Sequence, residues 1–227
     1  MTPIIKTNLA NRQNYGSARS ASQIKYIVIH YTANDGDTDE GNANYFKNNV
    51  VNASAHYFVD DDSITLSVPE LFTAWSVGGT KWKDCAATGG GTMYGKITNT
   101  NSISVEMCDT QKDGTIKATE KTMANTAELV KDLMKRYNVP IENVYRHFDV
   151  TGKHCPAYFM NPTAWAEFKE RLKDDPALKD IPEWALPTVK KLIAHGSLKG
   201  DSKGDLNLSN DMLRMLVIND REGLYGK

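Results

Sequence analysis

The stretch "YRHFDVTGKHCPAYF" (Tyr145–Phe159) places His147, Lys153 and Cys155 within nine residues. A neutral imidazole and a thiolate suit a borderline-soft cation. Zn²⁺ takes N and S ligands in a tetrahedron, and a catalytic site keeps the fourth position open for water. His147 and Cys155 are eight residues apart, far enough for a loop to turn both toward one point. His30 ends the β-branched, aromatic run "IKYIVIHY" (Ile24–Tyr31), where a buried strand commonly presents reactive groups. Together the three would form a His₂Cys set with one open position. On spacing alone a plainer reading stays open, with His147 a hydrogen-bonded histidine and Cys155 a buried small side chain.

Two charged residues bear on that choice. Glu106 interrupts "SISVEMCD" (Ser102–Asp109), which otherwise reads as a buried strand. A carboxylate there is costly unless it is paired or functional. Lys153, two residues before Cys155, can bring a cation to the same place. A metal that activates water, a carboxylate that takes its proton and a cation that stabilises an oxyanion are the parts of metal-assisted amide hydrolysis. The same residues also read as a strand with one wet face and an exposed loop lysine.

Rival chemistries fit less of the pattern. A blue-copper site needs a second histidine shortly after the cysteine, and none occurs between Cys155 and His195, although Met160 follows at five residues. A Cys–His nucleophile pair wants the cysteine at a helix start, yet Pro156 follows it, and Glu106 and Lys153 would have no role. The zinc-deaminase signature is absent.

The elements that would position these residues are legible in outline. "NANYFKNN" reads as a short helix. "SAHYFVDDDSITLSV" (Ser54–Val68) reads as a hairpin around an acidic turn, and 78–95 as a surface loop rich in Gly, Lys and Thr. Thr119 is the expected N-cap of a helix whose apolar face is Met123, Ala127, Val130, Met134 and Tyr137. "VPIENVYRHFDV" gives a proline turn and a short strand leading to His147, and Pro162 opens a further helix to about Leu172. Strands interspersed with helices predict an α/β fold with a central sheet flanked by helices. The stretch "KDDPALKDIPEW" reads as a linker, which predicts a main domain over 1–173, a linker over 174–181 and a small helical appendage over 182–227.

The chain has 227 residues, 40% apolar and 24% charged, with a formal charge of -1. That balance gives no reason to expect nucleic acid as a partner. No apolar run is long enough to insert in a membrane, and "MTPIIKTNLANRQNYGS" lacks the features of a secretory signal, so residence in the cytoplasm is expected. Three cysteines (Cys85, Cys108, Cys155) are too few for a disulfide framework and read as thiols or a metal ligand.

The motifs "IVIHYTA", "SAHYFVDD", "AWSVGG", "NSISVEMC" and "RHFDVTGKHCP" occur in the order found in zinc-dependent N-acetylmuramoyl-L-alanine amidases. From about Ile24 to Trp165 the chain resembles this family, which includes T7 lysozyme and the peptidoglycan-recognition proteins. The resemblance implies a central mixed sheet flanked by helices and cleavage of the amide between the lactyl group of N-acetylmuramic acid and L-alanine in peptidoglycan. It implies His30, His147 and Cys155 as zinc ligands, Glu106 as the base and Lys153 as the group that stabilises the oxyanion. It also brings the expectation that Tyr31, His56 and Trp75 line the substrate groove. His154, between Lys153 and Cys155, is expected to point away as a non-ligand. Two positions depart from the family pattern: Ser76 stands where relatives often carry a histidine, and Phe148 where an arginine is common.

The resemblance is to the phage and prophage branch, whose lysins wait in the cytoplasm until a holin opens the membrane. The tail, with its Trp184, "GSLKG" and "MLRML", resembles a lysin wall-anchoring unit, which implies wall binding or pairing of two chains into a homodimer. A helical hairpin packed on the main domain is the plain alternative. Two other functions are to be separated from lysis. A non-catalytic peptidoglycan-binding module would typically lack the cysteine, and a cytoplasmic muropeptide-recycling amidase would act on soluble fragments only.

Overall fold

The structure, a computed structural model, describes residues 4–226. Chain contacts divide them into two compact units, one running to Leu172 and one beginning at Lys173.

The larger unit is built on a six-stranded mixed sheet. Its strands are β1 (Ile4–Thr7), β3 (Tyr26–Tyr31), β4 (Tyr57–Val59), β5 (Ser63–Leu66), β7 (Ser102–Met107) and β8 (Val144–Arg146). They lie in the order β1-β5-β4-β7-β3-β8, and only the β4–β5 hairpin is antiparallel. A separate two-stranded ribbon joins β2 (Tyr15–Ala18) to β6 (Phe72–Ala74). Pairing of β3 with β7 sets His30 directly opposite Glu106. Side chains alternate between faces along a strand. Ile27, Ile29, Ile103, Val105 and Met107 therefore share one face and pack in the main core. Val28, His30, Ser104 and Glu106 share the other.

The apolar face is covered by α3 (Glu120–Tyr137), as the helical spacing predicts. Thr119 caps it by accepting from the Thr122 N–H, and Met123, Ala127 and Val130 are buried, with Leu129 and Leu133 beside them. Met134 and Tyr137 pack at the margin, and α5 (Pro162–Arg171) adds Phe168. The opposite face carries α1 (Asp39–Asn48), whose Ala43 meets Phe58 of β4.

Both ends of α1 are tied down. The Asp39 carboxylate accepts from the Ser63 and Thr65 hydroxyls of β5. At the other end buried Asn14 donates to the carbonyls of Phe46 and Asn49 and accepts from the N–H groups of Val51 and Asn52. Each of these bonds satisfies a backbone or carboxylate group that would be costly to bury alone.

Residues 78–95, expected as a plain surface loop, contain a short helix α2 (Cys85–Thr88) and bury Cys85. The sequence reading also missed β1, β2 and β6. Each is three or four residues long and draws its stability from a neighbour rather than from its own pattern.

The unit beginning at Lys173 has its own core. Helices α6 (Leu186–Ala194) and α7 (Asn210–Arg221) enclose Ala185, Val189, Leu213 and Val217. Leu178 and Ile181, in the stretch read as a linker, pack against that core.

Candidate metal centre and catalytic cleft

Three of the four groups arrive at the site from strand ends. His30 and Glu106 are the fifth residues of parallel strands β3 and β7, near their carboxyl ends, where open α/β sheets bind ligands. His147 begins the short helix α4 (His147–Thr151) immediately after β8, which pairs with β3. Arg146 fixes that corner. Its guanidinium donates to both oxygens of Asp149 (3.0 and 2.6 Å) and to the Phe159 carbonyl (2.6 Å), while its N–H bonds the same carboxylate. The turn after α4 returns Cys155 to the site, tied back by the Phe148 N–H donating to the Cys155 carbonyl at 3.0 Å.

The result is a tight cluster. The ligand atoms of His30, His147 and Cys155 lie within 4.8 Å of one another, the one such group among the described residues. All three are nearly inaccessible, at 1, 5 and 2% exposure. The imidazole rings are 4.7 Å apart between centroids, and the Cys155 Sγ is 3.9 Å from His30 Nδ1. Neither His30 Nε2 nor His147 Nδ1 has a hydrogen-bond partner, though both are buried. Buried nitrogens left without a partner are costly unless something else engages the ring.

The electrostatics favour ligation. Burial, then the neighbouring His147 and Lys153, push His30 well below the ordinary histidine range. Burial and Lys153 push His147 down to about 4. Both rings are thus neutral, the form that offers a lone pair to a metal. Burial, reinforced by Glu106, raises the Cys155 thiol, opposed by a hydrogen bond from the Tyr31 backbone and by Lys153. A metal ion beside a thiol reverses that tendency and deprotonates it. The donor set, two imidazoles and one thiol, is one that suits zinc.

Glu106 stands beside the cluster without being part of it. Its Oε1 is 3.8 Å from His30 Nδ1, and its Oε2 is buried without a partner. Burial raises its carboxyl to about 8; Lys153 opposes the shift and Asp37 adds to it. Glu106 forms part of the wall of a cleft of about 600 Å³, shared with Tyr31, Asn42, Tyr45, Lys153 and His154.

The expected site residues therefore divide. His30, His147, Cys155, Glu106, Lys153 and Tyr31 converge. His56 does not reach the cleft. It is completely buried, its Nδ1 accepting from the Ser104 N–H and its Nε2 against Arg19 and the Phe72 carbonyl. Burial and the Arg19 guanidinium press it down to about 3, so it is a neutral structural histidine with no surface for substrate. Trp75 lies outside the cleft lining, its indole nitrogen against Gly16 of β2. The Ser76 hydroxyl hydrogen-bonds that of Ser104, one step along β7 on the face that carries Glu106. His154 is outside the metal cluster, yet it lines the cleft.

The sequence reading passed over Asp37 and Asn42. Asp37 accepts from the Asn34 and Asn42 side chains, and through its other oxygen from the Asp109 N–H, which holds the cleft edge in place. The available signal was the crowd of short polar residues directly after the His30 strand. Cys108 is a buried thiol under α1, and Cys85 packs under α4; neither joins the cluster.

Comparison with known proteins supplies the context. The family model described as N-acetylmuramoyl-L-alanine amidase matches residues 20–158. The chain is 34% identical over 169 residues to the N-acetylmuramoyl-L-alanine amidase CwlL of Bacillus licheniformis, covering 72% of this chain and 44% of that protein. It is 32% identical over 190 residues to the amidase BlyA of Bacillus subtilis, covering 81% of this chain and 51% of that one. The chain thus spans about half the length of these curated relatives. The solved structure of PlyL superimposes with a TM-score of 0.59 at 29% identity, covering 77% of this chain and 98% of that one.

Proposed function

This chain belongs to the N-acetylmuramoyl-L-alanine amidase family, and on that premise we propose that it hydrolyses the amide between the lactyl group of N-acetylmuramic acid and L-alanine, opening bacterial cell walls. The observation that carries the reading is the buried His30–His147–Cys155 cluster with Glu106 beside it at the wall of an open cleft.

His30, His147 and Cys155 would hold a zinc ion, which when bound supplies Lewis acidity toward water and a carbonyl oxygen. The chain's own groups do the rest. The two imidazoles are held neutral by burial, and the Phe148 N–H bond to the Cys155 carbonyl holds the cysteine beside them. Glu106, too far from His30 Nδ1 for a hydrogen bond, takes a proton from the attacking water in its ionised form, which burial disfavours and which Lys153, and a bound cation, would favour. It returns that proton to the amide nitrogen as the C–N bond breaks, leaving a lactyl carboxylate and an L-alanine amine. Lys153, exposed on the cleft wall, brings a positive charge toward the oxygen that becomes negative during attack. Tyr31 offers the edge of a ring for substrate contact.

Digestion of purified walls followed by mass spectrometry tests the reading. The expected products are glycan strands with free lactyl carboxylates and stem peptides with new L-alanine amino termini, both lost with a chelator and restored by zinc. A different cut bond, or products that persist with chelator, would refute it. Cleavage confined to soluble muropeptides would assign the protein to recycling instead of lysis.

A further inference from the structure

The proposed amidase reaction accounts for the metal cluster, Glu106 and Lys153, but leaves one feature of the cleft unused. Trp82 packs against His154, which stands on the cleft wall next to Lys153. The two rings are 5.5 Å apart between centroids and inclined by 34°, and Trp82 is 44% exposed. The carboxylate of Asp84 lies 3.4 Å from His154 Nε2. The indole is thus an exposed aromatic surface directly beside His154 of the cleft wall.

The shelf is built, not loose. The Trp82 N–H donates to the Thr151 carbonyl at 2.8 Å, Gly91 N–H to the Phe148 carbonyl at 2.9 Å and Met93 N–H to the Asp149 carbonyl at 2.8 Å. Three backbone bonds thus stitch this loop along α4, the helix that presents His147. The contact is close enough to dictate residue type. Gly152 has φ of +87°, and a Cβ there would lie 2.2 Å from the Cys85 Sγ and 3.1 Å from the Trp82 Cβ. Gly152 directly precedes Lys153, so the indole is fixed in register with the reacting end of the cleft.

We propose that Trp82 and His154 form a glycan subsite, which takes a pyranose ring of the N-acetylated strand next to the muramic acid whose amide is cut. The inference rests on the amidase reading. A pyranose presents a flat, weakly polar C–H face ringed by hydroxyl groups. It matches an exposed indole with an imidazole and a carboxylate at its margin. The α1 end of the cleft has the contrasting chemistry that peptide amides need, with Asn34, Asn42 and Asp37 in a row of side-chain acceptors and donors. The two arms of the substrate, sugar and peptide, are thereby sorted to different walls.

Two measurements on the full chain test it. The first is the ratio of kcat/KM on polymeric glycan–peptide to that on an N-acetylmuramoyl-peptide bearing one sugar. In Trp82→Ala the ratio is expected to fall about fivefold, and Trp82→Phe should restore most of it. An unchanged ratio, or equal loss on both substrates, would overturn the subsite. The second is NMR of the indole N–H signal of Trp82 during titration with the peptide-free disaccharide N-acetylglucosaminyl-N-acetylmuramic acid. The expected outcome is a saturable shift at Trp82, lost in His154→Ala; shifts confined to other tryptophans would overturn it. Because the titration needs no turnover, it still decides the subsite if the protein proves not to cleave the amide.

Discussion

Replacing Glu106 by Gln separates chemistry from fold in a single variant. The substitution keeps the side chain's length and removes only its capacity to accept and return a proton. Its cost in stability is small for a structural reason. Glu106 Oε2 has no hydrogen-bond partner and Oε1 is 3.8 Å from its nearest histidine nitrogen, so no well-made bond is lost. An unsatisfied buried polar group costs about 1–3 kcal/mol whether it is a carboxyl or an amide, so the two forms should differ by no more than about 1 kcal/mol. The cost in rate is large. A positioned general base contributes about 10²–10⁴-fold, which at 1.36 kcal/mol per decade is about 3–5 kcal/mol of barrier. Three readouts together make the check: wall hydrolysis, bound metal by mass spectrometry and the thermal midpoint. The expected result is a rate down at least a hundredfold with one metal still bound and a parental midpoint. Parental activity would show that Glu106 is not the base. Loss of the metal would show that it holds the ion, contrary to its position outside the cluster.

Other outcomes follow from the same structure. Chelation should lower the thermal midpoint reversibly, since an ion that binds only the folded chain stabilises it, and a calorimetric scan with and without zinc measures the difference. Glu70 accepts from Arg136 at 2.6 and 2.8 Å and from the Tyr57 and Tyr137 hydroxyls. Burial alone would raise its carboxyl, but those bonds outweigh burial and hold it below the ordinary value of 4.5. A depressed acid stabilises the fold above its unfolded pKa and loses that contribution as pH falls through the folded one. Stability should therefore decline below about pH 4.5. Glu70→Gln should cost about 2 kcal/mol at pH 7 by urea denaturation and flatten that acid limb, Arg136 being partly solvated. Gly152→Ala should cost about 1–3 kcal/mol, because it combines a positive φ with a collision at Cys85, and the double variant with Cys85→Ala should recover part of the loss in the same denaturation assay.

How far the sequence reaches depends on whether a residue's role is set locally. Helix α3 was legible because its capping threonine and its apolar spacing are both written locally, between Thr119 and Tyr137. The His30–His147–Cys155 cluster was legible chiefly because the family motifs put its members in order; on spacing alone the H-x₇-C pair left a plainer reading open. His56 was misplaced because a histidine in a β-rich motif looks the same whether it faces a groove or a core. Its burial is decided by Arg19, thirty-seven residues away, and by the Ser104 N–H on the next strand. Trp82 and His154 could not be paired from sequence, since the loop that carries the tryptophan is set by backbone bonds to α4 that no side-chain pattern announces.

The two faces of the sheet explain why chemistry and stability are separable here. On the α3 side, β3 and β7 contribute Ile27, Ile29, Ile103, Val105 and Met107, all at or near zero exposure. On the other side the same strands contribute His30, Ser102, Ser104 and Glu106, of which the two serines are satisfied by bonds to Thr98 and Ser76. Polar residues on a face this buried would be a liability in an ordinary α/β sheet, where apolar side chains fill both sides. Here the cost is concentrated where it is useful. His30 Nε2, His147 Nδ1 and Glu106 Oε2, three of the few buried polar atoms left without partners among the described residues, all lie within one site. The serines and the buried His56 network carry the polar face as far as the cleft, and the unpaired atoms begin where a metal and a substrate would meet them. A substitution on the α3 face should therefore act through stability, and one on the opposite face, at the carboxyl ends of β3 and β7, through turnover and metal content.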